Sequence, residues 1–339
     1  MTADSNGPLT LARQGSFFVG GREIAVPGRF DPLVTAQPDE AGQTFWAEQM
    51  YVQYQVPARN RRLPLVLVHG GGGTGRVWES TPDGRDGFQT IFLRRGFAVN
   101  ITDSPGGGRS GFWLPSAAAG AGRRLGREHS WIRWRLGPRY PEVFPDQAFP
   151  MNAVDEFLQH MRPMVADDPE VISAGIVTLL ERIGPAVLVT HSNSGLYGWL
   201  AAARSENVRG IVSYEPGFVF PEGEMPEPLP LHRGMQAAGT PVSSAAFARL
   251  AEIPIQVVYG DNIPQSPVPE LAADGRRAQV AAAHLFVDAL TAKGGKASVL
   301  HLPDAGLRGN SHFMFSDTNN LQVADELSRF LECHRLDAW

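Results

Sequence analysis

Six compact apolar runs, at 63–69, 97–103, 186–190, 208–214, 253–260 and 297–302, constrain this chain more than any other feature. Each is short, rich in Val, Leu and Ile, and flanked by Gly or Pro. A strand that is apolar at successive positions has no face to give to water, so both its faces must be covered by other elements. Helical patterns near 85–95, 194–204, 277–293 and 319–333 supply that cover. The alternation predicts a parallel sheet between two helix layers. Two earlier segments, 16–24 and 44–56, alternate apolar and polar residues instead, as half-exposed antiparallel strands do, and are expected to form an edge meander. The expected fold is therefore α/β, an about eight-stranded mostly parallel sheet with helices on both faces, in one domain spanning 1–339.

Composition removes most other classes. With 339 residues, 43% hydrophobic and 19% charged, the chain can bury a large core and is neither disordered nor fibrous. Thirty basic against 35 acidic residues give a net charge of −5, which offers no basic footprint for nucleic acid. The lone Cys333 excludes an intramolecular disulfide, a thiolate zinc cluster and a Cys-x-x-Cys pair. No window approaches the roughly 18 apolar residues of a transmembrane helix. Residues 1–8 lack a basic segment followed by an apolar one. A soluble chain is expected, cytoplasmic, or secreted or periplasmic after removal of a signal peptide.

Two intervals exceed what a crossover needs. Residues 111–184 carry Trp113, Trp131, Trp134 and the Pro-Arg-Tyr-Pro stretch at 138–141, and 217–250 opens with Pro221, Pro226, Pro228 and Pro230. Long segments of this kind in compact domains tend to be lids or binding elements, so both are read as cap insertions over one end of the sheet. The tryptophans suit an apolar pocket and core packing equally.

The chemistry concentrates at 187–196, Val-Leu-Val-Thr-His-Ser-Asn-Ser-Gly-Leu. An apolar strand runs into Ser192 and turns at once into a helix, the setting in which a sharp strand-to-helix turn exposes a serine hydroxyl above a sheet. Thr190 and Ser194 stand where the usual pattern has glycines, with Gly195 one place late, and the same stretch would also serve as a helix N-cap. Upstream, the first apolar run ends in His69-Gly70-Gly71-Gly72-Gly73-Thr74-Gly75, whose backbone can approach a ligand closely. The N–H groups of Gly71, or failing it Gly72, and of Asn193 are candidate donors to an oxyanion. No Gly-Lys-Ser/Thr follows, which argues against a phosphate loop. His69 is expected to brace this loop.

A nucleophilic serine needs a base and an acid, and in a fold of this kind they follow it in the order acid, then histidine. Of nine histidines, His312 lies after the sixth apolar run and before the last helix, the position such a base requires, whereas His301 lies inside a strand and His191 precedes the serine. Two strand ends offer an acid. Glu215 closes Val-Ser-Tyr-Glu-Pro-Gly, and Asp261 directly follows Gly260 on the next run. Glu215 is preferred, and Asp261 is expected to serve a turn or cap.

These residues resemble the α/β-hydrolase superfamily, and within it bacterial carboxylesterases. The likeness is carried along nearly the whole chain by 15–22, 49–57, 78–85, 137–141, 191–195, 212–217, 309–312 and 319–325. It implies a Ser192–Glu215–His312 triad, an acyl-enzyme route to ester hydrolysis, a small-molecule ester substrate, and no metal or organic cofactor. An amide, lactone, carbamate or carbon–carbon bond, or transfer to an acceptor other than water, would suit the same triad, and a non-catalytic ligand-binding protein on this scaffold is the remaining alternative. A homodimer is compatible with the sequence. In one respect the chain departs from the carboxylesterase it resembles most, which carries two adjacent disulfide-linked cysteines where this chain has Gly71 and Gly72. The departure implies a more flexible loop and makes a reducing compartment admissible.

Overall fold

A computed structural model describes residues 7–33, 40–111, 125–163 and 167–339. Its main sheet contains β1 (Leu11–Ala25), β2 (Thr44–Pro57), β3 (Leu65–Val68), β4 (Val99–Asp103), β5 (Ala186–His191), β6 (Val208–Tyr214), β7 (Ile255–Tyr259) and β8 (Ala297–His301). The strands lie in the order β1-β2-β4-β3-β5-β6-β7-β8. β1 pairs antiparallel with β2 and β2 with β4, and every later pairing is parallel. The alternating segments thus form the antiparallel edge and the apolar runs the parallel body.

Helices follow in chain order: α1 (Arg76–Glu79), α2 (Phe88–Arg94), α3 (Arg127–Arg133), α4 (Val154–Gln159), α5 (Pro169–Ile183), α6 (Ser194–Arg204), α7 (Ser244–Leu250), α8 (Leu271–Ala292) and α9 (Asn320–Cys333). The pleat of β3 shows why the central runs are apolar throughout. Leu65 and Leu67 face one core with Phe88 and Phe92 of α2 and Leu327 and Leu331 of α9. Val66 and Val68 face the other, with Ile172 and Leu179 of α5, Trp199 of α6 and Phe286 of α8. Neither face meets water, and each buried Leu or Phe contributes about 1.5–3 kcal/mol by leaving it.

The interval 111–184 has two parts. Its last part is α5, capped by the Asp168 carboxylate on the N–H groups of Glu170 and Val171 at 3.0 and 3.2 Å, with Pro169 in the first turn. That helix packs in the layer against α6 and β1 rather than standing over the sheet. The surplus chain is confined to 111–163, where α3 and α4 lie; Trp113 falls outside the described residues. Trp131 and Trp134 are buried, Trp134 edge-on to Phe157 and Phe313. In 217–250, short parallel strands Val219–Pro221 and Thr240–Val242 pair ahead of α7. Among the described residues no helix is long and apolar enough to cross a membrane.

Candidate active site

β5 ends at His191 and α6 begins at Ser194, leaving Ser192 and Asn193 to reverse the chain. Ser192 takes φ 55°, a left-handed conformation that costs a non-glycine residue about 1–3 kcal/mol and persists only where its surroundings hold it. They do so through Ser192 N–H, which donates to Tyr214 O at 2.8 Å. The two residues standing in place of the usual glycines earn their positions through hydroxyl hydrogen bonds. Thr190 Oγ1 lies 2.6 Å from Ser213 Oγ on β6, and Ser194 Oγ accepts from His191 N–H at 2.8 Å while donating toward Val68 O at 2.9 Å on β3. Gly195 is needed one place later, because a Cβ there would come within 2.2 Å of Pro216 Cβ. The Ser192 hydroxyl is partly exposed and bonds to no other side chain among the described residues.

The glycine loop packs directly beneath this turn. A Cβ on Gly70 would sit 2.7 Å from His191 Nδ1 and 3.1 Å from Ser192 Cβ, so only glycine brings the two backbones this close. His69 braces the loop as expected, its Nδ1–H donating to Gly70 O at 2.7 Å and its Nε2 accepting from Ser104 N–H at 3.1 Å. Asp103 accepts from Gly75 N–H at 2.6 Å, and Arg162 donates to the carbonyls of Gly72 and Gly73. The N–H groups of Gly71 and Asn193 meet no protein acceptor among the described residues. Asn193 lines the cavity described below; Gly71, one residue from the Ser192 contact, is not among its lining residues.

His312 and Glu215 converge from opposite ends of the sequence. His312 Nδ1 lies 2.7 Å from Glu215 Oε2, both groups being buried. Asp261 does not reach the histidine; its carboxylate accepts from Gly309 N–H at 2.9 Å and from Asn262 N–H at 2.7 Å, the turn role expected of it. Glu215 also has a positive φ, 49°, which turns its side chain off the end of β6. The loop that carries His312 is held by Asp317, which accepts from Ser311 N–H and Oγ–H at 2.8 and 2.7 Å and from Asn310 Nδ2 at 3.0 Å.

Three side chains not anticipated from the sequence complete the cluster. Arg135, just beyond α3, grips both oxygens of Glu215. Arg276 of α8 donates through Nη2 to His312 Nε2 at 3.2 Å, and its Nε lies 3.8 Å from Glu215 Oε2. His191 packs against His312 with ring centroids 4.4 Å apart and the rings tilted by 49°, and donates through Nε2 to the His312 carbonyl at 3.0 Å. A guanidinium can only donate, so Nε2 of His312 is the acceptor and its proton rests on Nδ1, facing Glu215. That is the tautomer a general base requires.

The electrostatics follow from burial and neighbours. Desolvation alone would raise the Glu215 carboxyl, but Arg135 and then His312 outweigh it and hold it well below the ordinary carboxylate range. Burial, with Arg276 and His191, holds the His312 imidazole well below its ordinary value against the pull of Glu215. Above the cluster opens a cavity of about 610 Å³ lined by Ser192, Asn193, Tyr197 and Glu215, by Arg276 and its neighbours on α8, and by Arg133, Asp167, Gly217 and Ala237 from the two long intervals. Neither Trp131 nor Trp134 reaches it.

The strand order, the turn at Ser192 and the histidine after the last strand define an α/β-hydrolase. The chain belongs to that superfamily, among its serine carboxylesterase-type hydrolases. It is similar to a novel bacterial esterase of known structure, at 35% identity and TM-score 0.79 over 97% of this chain and 98% of the other. A protein named a probable secreted lipase, from a fungal species (strain ATCC 74256), is 28% identical over 317 residues, which cover 84% of this chain and 85% of that one. No protein-family model matches the chain.

Proposed function

We propose that this chain hydrolyses carboxylic esters through Ser192, His312 and Glu215. The observation that carries the reading is the buried 2.7 Å contact between His312 Nδ1 and Glu215 Oε2, beside a serine held at φ 55° at the mouth of a cavity. In this scheme His312 Nε2 takes the Ser192 proton as the oxygen attacks the ester carbonyl, and the tetrahedral oxyanion accepts from the N–H groups of Gly71 and Asn193. His312 then gives its proton to the departing alkoxide, leaving an acyl-serine. Water repeats the sequence, its proton passing to His312 and then back to Ser192 as the acid leaves. Glu215 keeps the imidazole in the productive tautomer and balances its transient charge. The likeness to an esterase and to a protein named a lipase supports an ester as the substrate. The intervals 111–163 and 217–250, which lend Arg133, Gly217 and Ala237 to the cavity wall, are proposed as its cap.

The test is turnover of 4-nitrophenyl acetate by the wild type and by Ser192→Ala, with an alkyl fluorophosphonate as a label. The wild type should turn over and be labelled once, at Ser192. Equal rates for both proteins would remove the nucleophile assignment.

A further inference from the structure

Two guanidiniums share one carboxylate at the floor of this cavity. Glu215 is saturated: Arg135 holds both its oxygens, His312 Nδ1 and Gly260 N–H occupy what remains, and the carboxylate has no exposure. Arg276 therefore meets it only at 3.8 Å. Its own hydrogen bonds go to neutral acceptors, Gln279 Oε1 at 2.7 Å through Nη1 and His312 Nε2 at 3.2 Å through Nη2. With His312 neutral, the buried cluster keeps an excess positive charge, and the Arg276 side chain is only 5% exposed. An uncompensated buried charge is among the most expensive arrangements a protein can hold. The excess faces the cavity that Ser192 lines, and the walls around it, Leu196, Leu271, Ala272 and Gly275, are apolar. Asp167, the other carboxylate of the lining, is hydrogen-bonded to Tyr197 Oη at 2.8 Å.

Resting on the esterase reading, we infer that Arg276 is the recognition site for a carboxylate carried by the substrate, so that the preferred esters are half-esters of dicarboxylic acids, with the free carboxylate a few carbons from the scissile carbonyl. A guanidinium presents paired N–H donors that match the two oxygens of a carboxylate. The same geometry couples recognition to catalysis. While Arg276 donates to His312 Nε2, the lone pair that must take the Ser192 proton is occupied. A substrate carboxylate that draws the guanidinium to itself frees that lone pair. Arg276 thus discriminates twice, by supplying the counter-charge and by leaving His312 Nε2 more often free when an anion has arrived than when a neutral ester is bound.

The experiment compares 4-nitrophenyl hydrogen glutarate with 4-nitrophenyl hexanoate, a neutral acyl chain of similar length, each rate divided by its uncatalysed hydrolysis. A hydrogen-bonded ion pair of this kind should give the wild type an about tenfold to hundredfold higher kcat/KM for the anionic ester. Free glutarate should compete with the hexanoate ester. In Arg276→Met the selectivity should fall to about unity, through a higher KM for the glutarate ester together with a kcat for the hexanoate ester that is kept or raised because His312 Nε2 is no longer occupied, and Arg276→Lys should restore part of the selectivity. Wild-type enzyme that turns over the hexanoate ester with no preference for the anion and no competition by glutarate overturns the inference while leaving the esterase reading intact. Enzyme that turns over neither ester, or a Ser192→Ala variant as fast as wild type, overturns the esterase reading itself. The two wild-type measurements decide the matter even if Arg276→Met does not fold. If it folds, equal loss on both esters with no rescue by lysine assigns Arg276 to structure and overturns the recognition role.

Discussion

Arg135 closes on both oxygens of Glu215, Nη1 donating to Oε2 at 2.8 Å and Nη2 to Oε1, with both side chains shut away from water. The pair joins the segment after α3 to the end of β6, and it is the main reason a carboxylate can remain ionised at this depth. Removing one member of a buried pair strands the other. Arg135→Gln is therefore expected to cost about 3–5 kcal/mol in urea denaturation, with Arg135→Lys recovering only part of it. A loss under about 1 kcal/mol would show that the pair contributes little, as surface pairs do.

Glu215 and Asp261 separate cleanly by mutation. Glu215→Gln keeps the shape but offers His312 an amide in place of a carboxylate, and kcat should fall by about 10²–10⁴. Asp261→Asn perturbs only a turn at Gly309 and Asn262, so kcat should change less than about threefold. Steady-state kinetics with a 4-nitrophenyl ester distinguish the two, and a reversed order would place the acid on β7.

Stability should fall in mild acid. Burial holds His191 down at about 3, and it also lowers His69 and His312. These groups are neutral when folded but protonate near 6.5 when unfolded, so their stabilisation is complete above pH 6.5 and is lost as pH falls toward the folded values. His191 alone contributes up to about 1.4 kcal/mol of loss per pH unit below its unfolded value. Asp317 runs the other way: burial raises it to about 7, so its contribution is present below its unfolded value and lost as pH rises through 7. One carboxyl opposes these three histidines and His160, which burial lowers to about 4. The melting temperature should drop between pH 6.5 and 5, and unfolding at pH 5.5 should take up protons. A flat profile there would contradict the burial of these imidazoles.

Activity has its own acid limb. Because burial and Arg276 depress His312, kcat/KM should be retained well below pH 6.5 before the base protonates. His191, Arg276 and Glu215 are the charged or titratable groups that face it. With Arg276 replaced by Met, the cation that disfavours the imidazolium is gone, and the limb should move to higher pH. An unmoved limb would mean that burial and the other neighbours, His191 and Glu215, set the value without Arg276.

The tightness of the turn can be tested at Gly195. An alanine methyl would meet Pro216 Cβ at 2.2 Å, between α6 and the residue after Glu215, so Gly195→Ala should cost about 1–3 kcal/mol by overpacking and reduce kcat by displacing Ser192. Gly223, whose added Cβ would meet nothing within 4 Å, provides the control: Gly223→Ala should change neither stability nor rate measurably.

Much of this was legible because the signals were local. Six apolar runs became six strands, since burial on both faces leaves a pattern in consecutive residues. The turn at Ser192 could be read from a strand running directly into a helix, and the loop that carries His312 from its place after β8. Arg135 and Arg276 could not, because their partners lie 80 and 36 residues away and no spacing rule links them. A weaker signal existed for Arg276. It falls seven residues before Ala283 and fourteen before Leu290, so a helical projection of α8 sets a cation on the buried stripe. The place of α5 within the long interval was not legible for a similar reason: α5 is amphipathic like any crossover helix, and only its packing against β1 and α6 assigns it to the layer.

His312 is anchored through its backbone as well as its ring. Its N–H donates to Trp134 O at 3.0 Å, and its carbonyl accepts from His191, the residue before Ser192. The segment that carries Trp134 also carries Arg135, so the same stretch of chain that borders the cavity holds His312 and Glu215 in place. Such a segment is not an exchangeable module. A chimaera that swapped it for the corresponding piece of another hydrolase would change what enters the cavity only by loosening what acts there, so new specificity is better sought on α8 and in 217–250.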